Sequence, residues 1–374
     1  MLTLGALSHG CSDDMAEYLP GLLPILLSSV QGQRGGQAAT THGEGALVFP
    51  PEVRCISCWV LGRYSDYWFT EGGAEEEYAP HAPKEINIDT QKSIIQTLMT
   101  SMVDSVPRLQ AASCSALTAV FDSVAASESD FQEDPAAISI LDACLADMVA
   151  QFHHAFGMFG VKNSLILCDT VGTLCDAIAP NSLQTMFSVS ASNLSSLILN
   201  PLVEKFSALL QIQDPSFEGG EGECAPHPHL YPVMECLSSV NTAVGLDLLP
   251  FVTDLVKMFL HLITSVLDAY DQHHAALAAG AAEEDLDELP GMDFAVCALD
   301  VLSSMVEGLK VVFPLVVLGL PLDHRTMSGL PLSPEHLHPY CQHGTGEDIQ
   351  RMVISQAVRC MSFSHSSGES FLNN

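Results

Sequence analysis

VRCISCWVLGRYSDYW, residues 53–68, reads as one amphipathic helix, and its helical rather than alternating period decides the fold class. Ile56, Trp59 and Arg63 lie three and four residues apart and so share one face, apolar at one end and cationic at the other. Such a face grips a peptide rather than cutting one. Two readings are open: exposed, the face makes the protein a binding module; buried, the same stripe is ordinary core.

Outward from this stretch the same period recurs on both sides. Met1–His9 reads as the remainder of a helix, and Tyr18–Val30 as a second, entered through prolines that suit a first turn. Glu52–Trp68 pairs with Thr90–Val103, Arg108–Ala125 with Ala136–Phe156, Val161–Ile178 with Leu194–Ile212, and Leu230–Val244 with Pro250–Tyr270. Asp293–Leu309 ends the series. Corresponding helices recur roughly every 45–60 residues, the range of HEAT-type hairpins with insertions. A single hairpin cannot bury its apolar face, whereas a stack of them can. The expected fold is all-α: a HEAT-repeat α-solenoid, a superhelix of antiparallel helix pairs, over residues 1–309. Insertions near 31–46, 71–83, 214–228 and 275–288 are biased toward Gly, Glu, Ala and Pro and read as mobile loops. From Lys310 to Asn374 the rhythm is lost, and the stretch reads as an irregular, disordered tail with one helix-like patch at Glu347–Cys360.

Composition narrows the function classes. Of the 374 residues, 48% are apolar and 16% charged, so there is ample material for a core. The charged minority is lopsided, 45 acids against 13 bases for a net −32, which repels nucleic acid and anionic membrane and attracts basic partners. MLTLGALSHGC lacks the basic start and long apolar core of a secretory signal. Val311–Leu322 is too short for a bilayer and carries two prolines, so no membrane insertion is expected. The cysteines fall mostly in helical segments, as reduced thiols do. Cys55 and Cys58 form a C-x-x-C in mid-helix with no second pair, and His336, His338, Cys341 and His343 sit in the irregular tail; neither group reads as a metal site. No phosphate-binding loop, nucleophile elbow or zincin motif is present, and His153–His154 and His273–His274 have no accompanying carboxylate pattern. The reading is no enzyme, no metal and no cofactor.

What does recur is acid at the same place in successive hairpins. Asp122, Asp169, Asp176, Glu235, Asp300 and Glu307 all fall on the first, or only readable, helix of a hairpin. Asp169, Thr173 and Asp176 share one face, and Asp300 and Glu307 are two turns apart. Equivalent helices of a stack line one wall, so these carboxylates form a ladder suited to an extended basic peptide. Exposed ion pairs contribute only about 0–1 kcal/mol each, so an apolar anchor is needed, and Trp59 with Ile56 supplies it.

Five blocks then carry a resemblance: VRCISCWVLGRY (53–64), RLQAASCSALTAVFD (108–122), KNSLILCDTVGTLCD (162–176), YPVMECLSSVNTAV (231–244) and DFAVCALDVLSSMVEGL (293–309). In this order they resemble consecutive repeats of the transportin branch of the karyopherin-β (importin-β) family, nuclear import receptors built from HEAT repeats, over about residues 1–309. The resemblance implies binding of proline–tyrosine nuclear localisation signals, which are extended basic segments ending in R-x(2–5)-P-Y. Leu2, Ile56, Trp59 and Arg63 match positions that receive the Pro-Tyr end. Asp122, Ile166, Asp169, Thr173 and Asp176 match the stretch that meets the signal's arginine. Glu235, Ser238, Val296, Asp300 and Glu307 match the wall for its basic or hydrophobic upstream part. Ala119 stands where the family has threonine, and Asp122 where it has glutamate.

Implied partners are cargo proteins bearing such signals, with the GTPase Ran and nucleoporins for the family at full length. The implied location is cytoplasm and nucleus, with shuttling through the pore. The amino-terminal arch that engages Ran, the acidic loop that lets Ran expel cargo, and the repeats beyond Leu309 with a second tryptophan-bearing cargo patch are not matched. The expectation is therefore a partial or mis-spliced gene product whose terminal repeats lack polar caps, with Val311–Leu322 as translated non-coding sequence. Two alternatives stand beside the receptor: a truncated, non-functional product, or a HEAT scaffold for a folded partner, which would pack Trp59 into the inter-helix core.

Overall fold

A computed structural model describes residues 1–8, 10–32, 49–69, 86–130, 139–178, 183, 194–211, 227–282, 286, 289–310, 312–317, 351 and 355. They form two compact units, Met1–Ser182 and Leu183–Asn374. Each is all-helical and built of packed helix pairs of the HEAT type.

The first unit contains α1 (Leu2–Leu7), α2 (Ser12–Met15), α3 (Leu19–Val30), α4 (Pro51–Arg63), α5 (Ser65–Phe69), α6 (Ile88–Met102), α7 (Pro107–Asp130), α8 (Ile140–Met158) and α9 (Val161–Ala177). Local chemistry sets several of these starts. Pro51 opens α4, the Asn87 side chain accepts from the Thr90 amide at 2.8 Å ahead of α6, and Ser139 accepts from the Leu141 amide at 3.2 Å ahead of α8. Packing arranges the helices in two rows. In the first, α1, α4, α7 and α9 each lie against the next; in the second, α3, α6 and α8 do the same. The rows meet through α3–α4, α6–α7 and α8–α9, burying Leu61, Leu98, Leu117, Phe121, Phe152 and Leu167. By length and composition α7 would cross a membrane, but it lies among α4, α6, α8 and α9 and its apolar face is core.

One expectation fails inside the opening stretch: residues 53–68 are two helices, not one. The backbone leaves the helix at Tyr64 (φ −112°, ψ 24°), whose hydroxyl donates to the Leu4 carbonyl at 2.7 Å, and α5 restarts at Ser65. Just before the break, α4 runs close to α7, since a Cβ at Gly62 would stand 3.0 Å from the Ala116 α-carbon.

Arg54 stitches the rows together. Its Nε donates to the Val30 carbonyl at 2.9 Å at the end of α3, and its Nη2 pairs with Asp104 Oδ2 at 2.9 Å just past α6. Burial by itself would raise the Asp104 carboxyl, but the Val106 amide and the Arg54 guanidinium outweigh it and hold it below its ordinary value. A carboxylate depressed in this way adds stability above its unfolded pKa of about 3.9 and loses it as pH falls through the folded value. Arg54→Ala should lower stability at neutral pH by about 1–3 kcal/mol. It should also flatten the loss that the unsubstituted chain shows on acidification through the carboxylate range. Urea melts of both proteins at neutral and acid pH measure this, and parallel pH slopes would refute it.

The second unit contains α10 (Leu194–Gln211), α11 (Leu230–Val244), a 3-10 turn at Gly245–Leu248, α12 (Leu249–Ala278), α13 (Asp293–Leu309) and α14 (Val312–Val317). α11 packs on α10 and α13, and α12 on α13. Phe206 meets Phe259 at 4.6 Å between α10 and α12, and Tyr231 stacks on Phe294 at 4.0 Å between α11 and α13. α11 and α13 approach so closely that a Cβ at Gly308 would overlap the Asn241 carbonyl oxygen. The buried Asp247 of the 3-10 turn accepts from Ser195 at 2.6 Å.

Two boundaries differ from the sequence reading. α12 continues to Ala278, so the first residues of the 275–288 insertion are helical. The tail does not turn irregular at Lys310: α14 buries Val312, Leu315, Val316 and Val317 against α12 and α13. The rest of the tail lies outside the described residues apart from Arg351 and Ser355, and so does nearly all of the insertions at 31–46, 71–83 and 214–228.

Candidate functional site

The first-row helices each turn a buried side toward the second row and leave one stripe on the surface. On α4 that stripe carries Trp59, which is 41% exposed, whereas Trp68 on α5 is fully buried. Leu2 on α1 is 64% exposed, and Ile56 and Arg63 on α4 are half-buried. The Trp59 indole lies over the backbone of α1 at Gly5. A Cβ there would overlap the ring at Cζ3 and stand 2.6 Å from Cε3 and Cη2. One turn along α4, Arg63 Nε donates to Ser8 Oγ at 3.2 Å, and that hydroxyl donates to the Gly5 carbonyl at 2.8 Å.

The next two first-row helices carry the acids. Asp122 on α7 and Asp169 and Asp176 on α9 are exposed, with Thr173 and Ile166 half-buried among them. Burial pushes the Asp122 carboxyl above its ordinary value, and the Asp169 charge adds to it, so carboxylates of neighbouring helices feel each other. Thr118 Oγ1 meets Thr170 Oγ1 at 3.1 Å and joins α7 to α9 beneath them, while Thr173 spends its hydroxyl on the Asp169 carbonyl at 3.0 Å. Asp66 on α5 is a further exposed acid, held by Ser123 of α7 at 2.7 Å.

In the second unit Glu235 on α11 and Asp300 and Glu307 on α13 are exposed, while Ser238 and Val296 are half-buried. Glu235 and Asp300 both act on Cys297: burial pushes that thiol up to about 12, and the two charges add to the effect. All fourteen residues singled out in the sequence therefore sit on α1, α4, α7, α9, α11 or α13 and none is core, nine of them in the first unit and five in the second.

Sequence reasoning left out Gly5, Ser8 and Asp66. Asp66 was within reach, three residues after Arg63. Gly5 and Ser8 gave no signal, because their role rests on contact with a helix more than fifty residues away in the chain. Among the described residues no group of three His, Cys, Asp or Glu side chains is arranged to hold a metal ion. Of the C-x-x-C pair, Cys58 is buried with its sulfur 3.6 Å from Ser113 Oγ, and burial pushes its thiol up to about 12. A thiol so raised is not a nucleophile at neutral pH. The geometry offers a half-exposed aromatic beside a guanidinium, then carboxylates on successive helices.

Set against known proteins, the chain is 28% identical to human Transportin-1 over 309 residues, which is 83% of this chain and 26% of that protein. It is 27% identical to importin subunit beta-2 of Schizosaccharomyces pombe over 309 residues, with the same coverage. It is 25% identical to Transportin of Dictyostelium discoideum over 324 residues, or 87% of this chain and 27% of that one. The chain thus spans about a quarter of the length of the relatives it matches. No protein-family model matches it.

Proposed function

We propose that this homologue of the transportins and of importin subunit beta-2 is a karyopherin-like transport receptor module whose surface grips basic, extended proline–tyrosine signals of cargo proteins. The observation that carries the reading is Trp59: a tryptophan left 41% exposed on the same helix stripe as Arg63, at the head of a series of exposed acids. A large aromatic in that setting has little to add to folding and much to add to an interface. Its flat ring suits a proline or tyrosine ring, and Arg63 beside it supplies donors and a stacking plane.

Asp122, Asp169 and Asp176 of the first unit would meet basic residues of the signal, and Glu235, Asp300 and Glu307 of the second unit, taken by themselves, suit basic residues in the same way. Each exposed pair contributes about 0–1 kcal/mol, so the acids act as a set and the anchor decides affinity. The activity is stoichiometric recognition, with no bond made or broken and no cofactor. In this reading the protein moves between cytoplasm and nucleus, and Ran and nucleoporins are partners of the complete receptor. A scaffold for a folded partner needs no exposed tryptophan, and the buried one here is Trp68.

The test is titration of a fluorescent proline–tyrosine signal peptide into the chain, beside the same peptide with Pro-Tyr replaced by Ala-Ala. Saturable binding lost in the control supports the reading; a helical, monodisperse sample that binds neither peptide ends it. Raising salt from about 0.05 to about 0.5 M should weaken binding as the Debye length shrinks. Lowering pH should weaken it too, from a higher pH than an unperturbed aspartate would set, because Asp122 is raised and the basic signal needs it ionised. Affinity indifferent to both salt and pH would remove the acids from the site.

A further inference from the structure

Trp59 and Arg63 do not stand alone on α4, because both rest on α1. Gly5 is buried although Leu2 three residues before it and Ala6 beside it are exposed, and what covers it is the Trp59 ring. Its backbone is helical, with its amide donating to the Met1 carbonyl at 3.0 Å. A glycine inside a helix is unfavourable relative to alanine, so its use there calls for a reason. The reason here is steric: any side chain at this position would occupy the space of the indole. Ser8 does the corresponding work for Arg63. Its one hydroxyl accepts from Arg63 Nε and donates to the Gly5 carbonyl, tying the guanidinium to the helix end that seats the indole. Tyr64 fastens the same two helices through its bond to the Leu4 carbonyl.

We infer that Gly5 and Ser8 are positioning residues: Gly5 is the seat on which the Trp59 indole lies with one face covered and the other open, and Ser8 is the stop that sets Arg63. For ligand binding this rests on the reading that Trp59 and Arg63 receive the Pro-Tyr end of a signal. A ring already held flat loses less freedom when a ligand stacks on it, so the seat contributes affinity without touching the ligand.

The chain has two tryptophans, and Trp68 is fully buried, so quenching of its fluorescence by a neutral agent reports mainly on Trp59. Gly5→Ala should lift the indole and raise the acrylamide quenching constant, while the substitution itself favours the helix. It should also weaken the Pro-Tyr peptide about ten-fold. In a Trp59→Phe background, where the smaller ring clears the new methyl, Gly5→Ala should cost little further affinity, the non-additivity expected of residues in contact. Ser8→Ala should weaken the peptide less and leave quenching unchanged.

Unchanged quenching in a folded Gly5→Ala protein overturns the inference, whatever the peptide does. Raised quenching in a chain that never bound the peptide upholds the seat and discards the cargo reading. Should Gly5→Ala lose helicity, Gly5→Ala with Trp59→Leu decides: a restored melt identifies overlap with the indole as the cause, and persistent unfolding overturns the inference.

Discussion

Trp59→Ala should weaken binding of a Pro-Tyr signal by about 2 kcal/mol or more, roughly thirty-fold, and leave the melting curve of the protein almost unmoved. The two halves of that expectation have different sources. The loss of binding follows from the size and flatness of an indole that is 41% exposed. The indifference of stability follows from its 41% exposure, which leaves much of the ring outside the core. Isothermal titration beside circular dichroism separates them. A variant that binds as well as its parent moves the anchor elsewhere, and one that unfolds makes Trp59 a core residue after all.

Trp68→Ala, nine residues on, should do the reverse. Trp68 is fully buried, stands edge-on to Tyr67 with ring centroids 4.9 Å apart, and belongs to α5, which packs on α7. Emptying that site should cost about 3–5 kcal/mol, a large share of the roughly 5–15 kcal/mol that holds a domain together. Trp68→Phe should cost much less: its Nε1 has no hydrogen-bond partner among the described residues, so only volume is lost. Urea melts of the two variants test this, and an alanine variant within about 1 kcal/mol of the parent would contradict the buried placement.

These two tryptophans also show how far the sequence can be read. Both fall in one amphipathic stretch, and periodicity cannot tell a residue that faces a neighbouring helix from one that faces water. The break that separates them occurs at Tyr64, with no proline to announce it, and is fixed by a hydrogen bond to α1. Where a terminus is local chemistry, the reading was close. The ends of α11 and α13 agree with the sequence, the first stopped by Gly245 at φ 53°. α13 ends at Lys310 with φ 50°, a conformation that lysine does not advertise.

The helix extension to Ala278 is not expected from the sequence because the Ala- and Glu-rich stretch from Ala275 reads by composition as a loop, whereas alanine is the strongest helix former and Gly280, at φ 93°, is the true stop. α14 was missed because VFPLVV is too short to show a period. It is helical where α12 and α13 offer it an apolar bed. For the candidate site, spacing and resemblance singled out Trp59 and the acids, which the structure leaves exposed; their role in binding is the proposal. The seat under Trp59 was not, being a contact between distant parts of the chain.

The two-row arrangement of the first unit has a consequence for how the surface comes into being. Its principal contacts link each helix to its own hairpin or the next. Stacks grow from whichever hairpin forms first. α7 touches α4, α5, α6, α8 and α9 and is the natural nucleus. α1 has α4 as its main partner and is held through fewer neighbours. Trp59 thus bridges a well-connected helix, α4, and a sparsely connected one, α1, while the acids of α7 and α9 stand on helices that share the large contact at the centre of the unit.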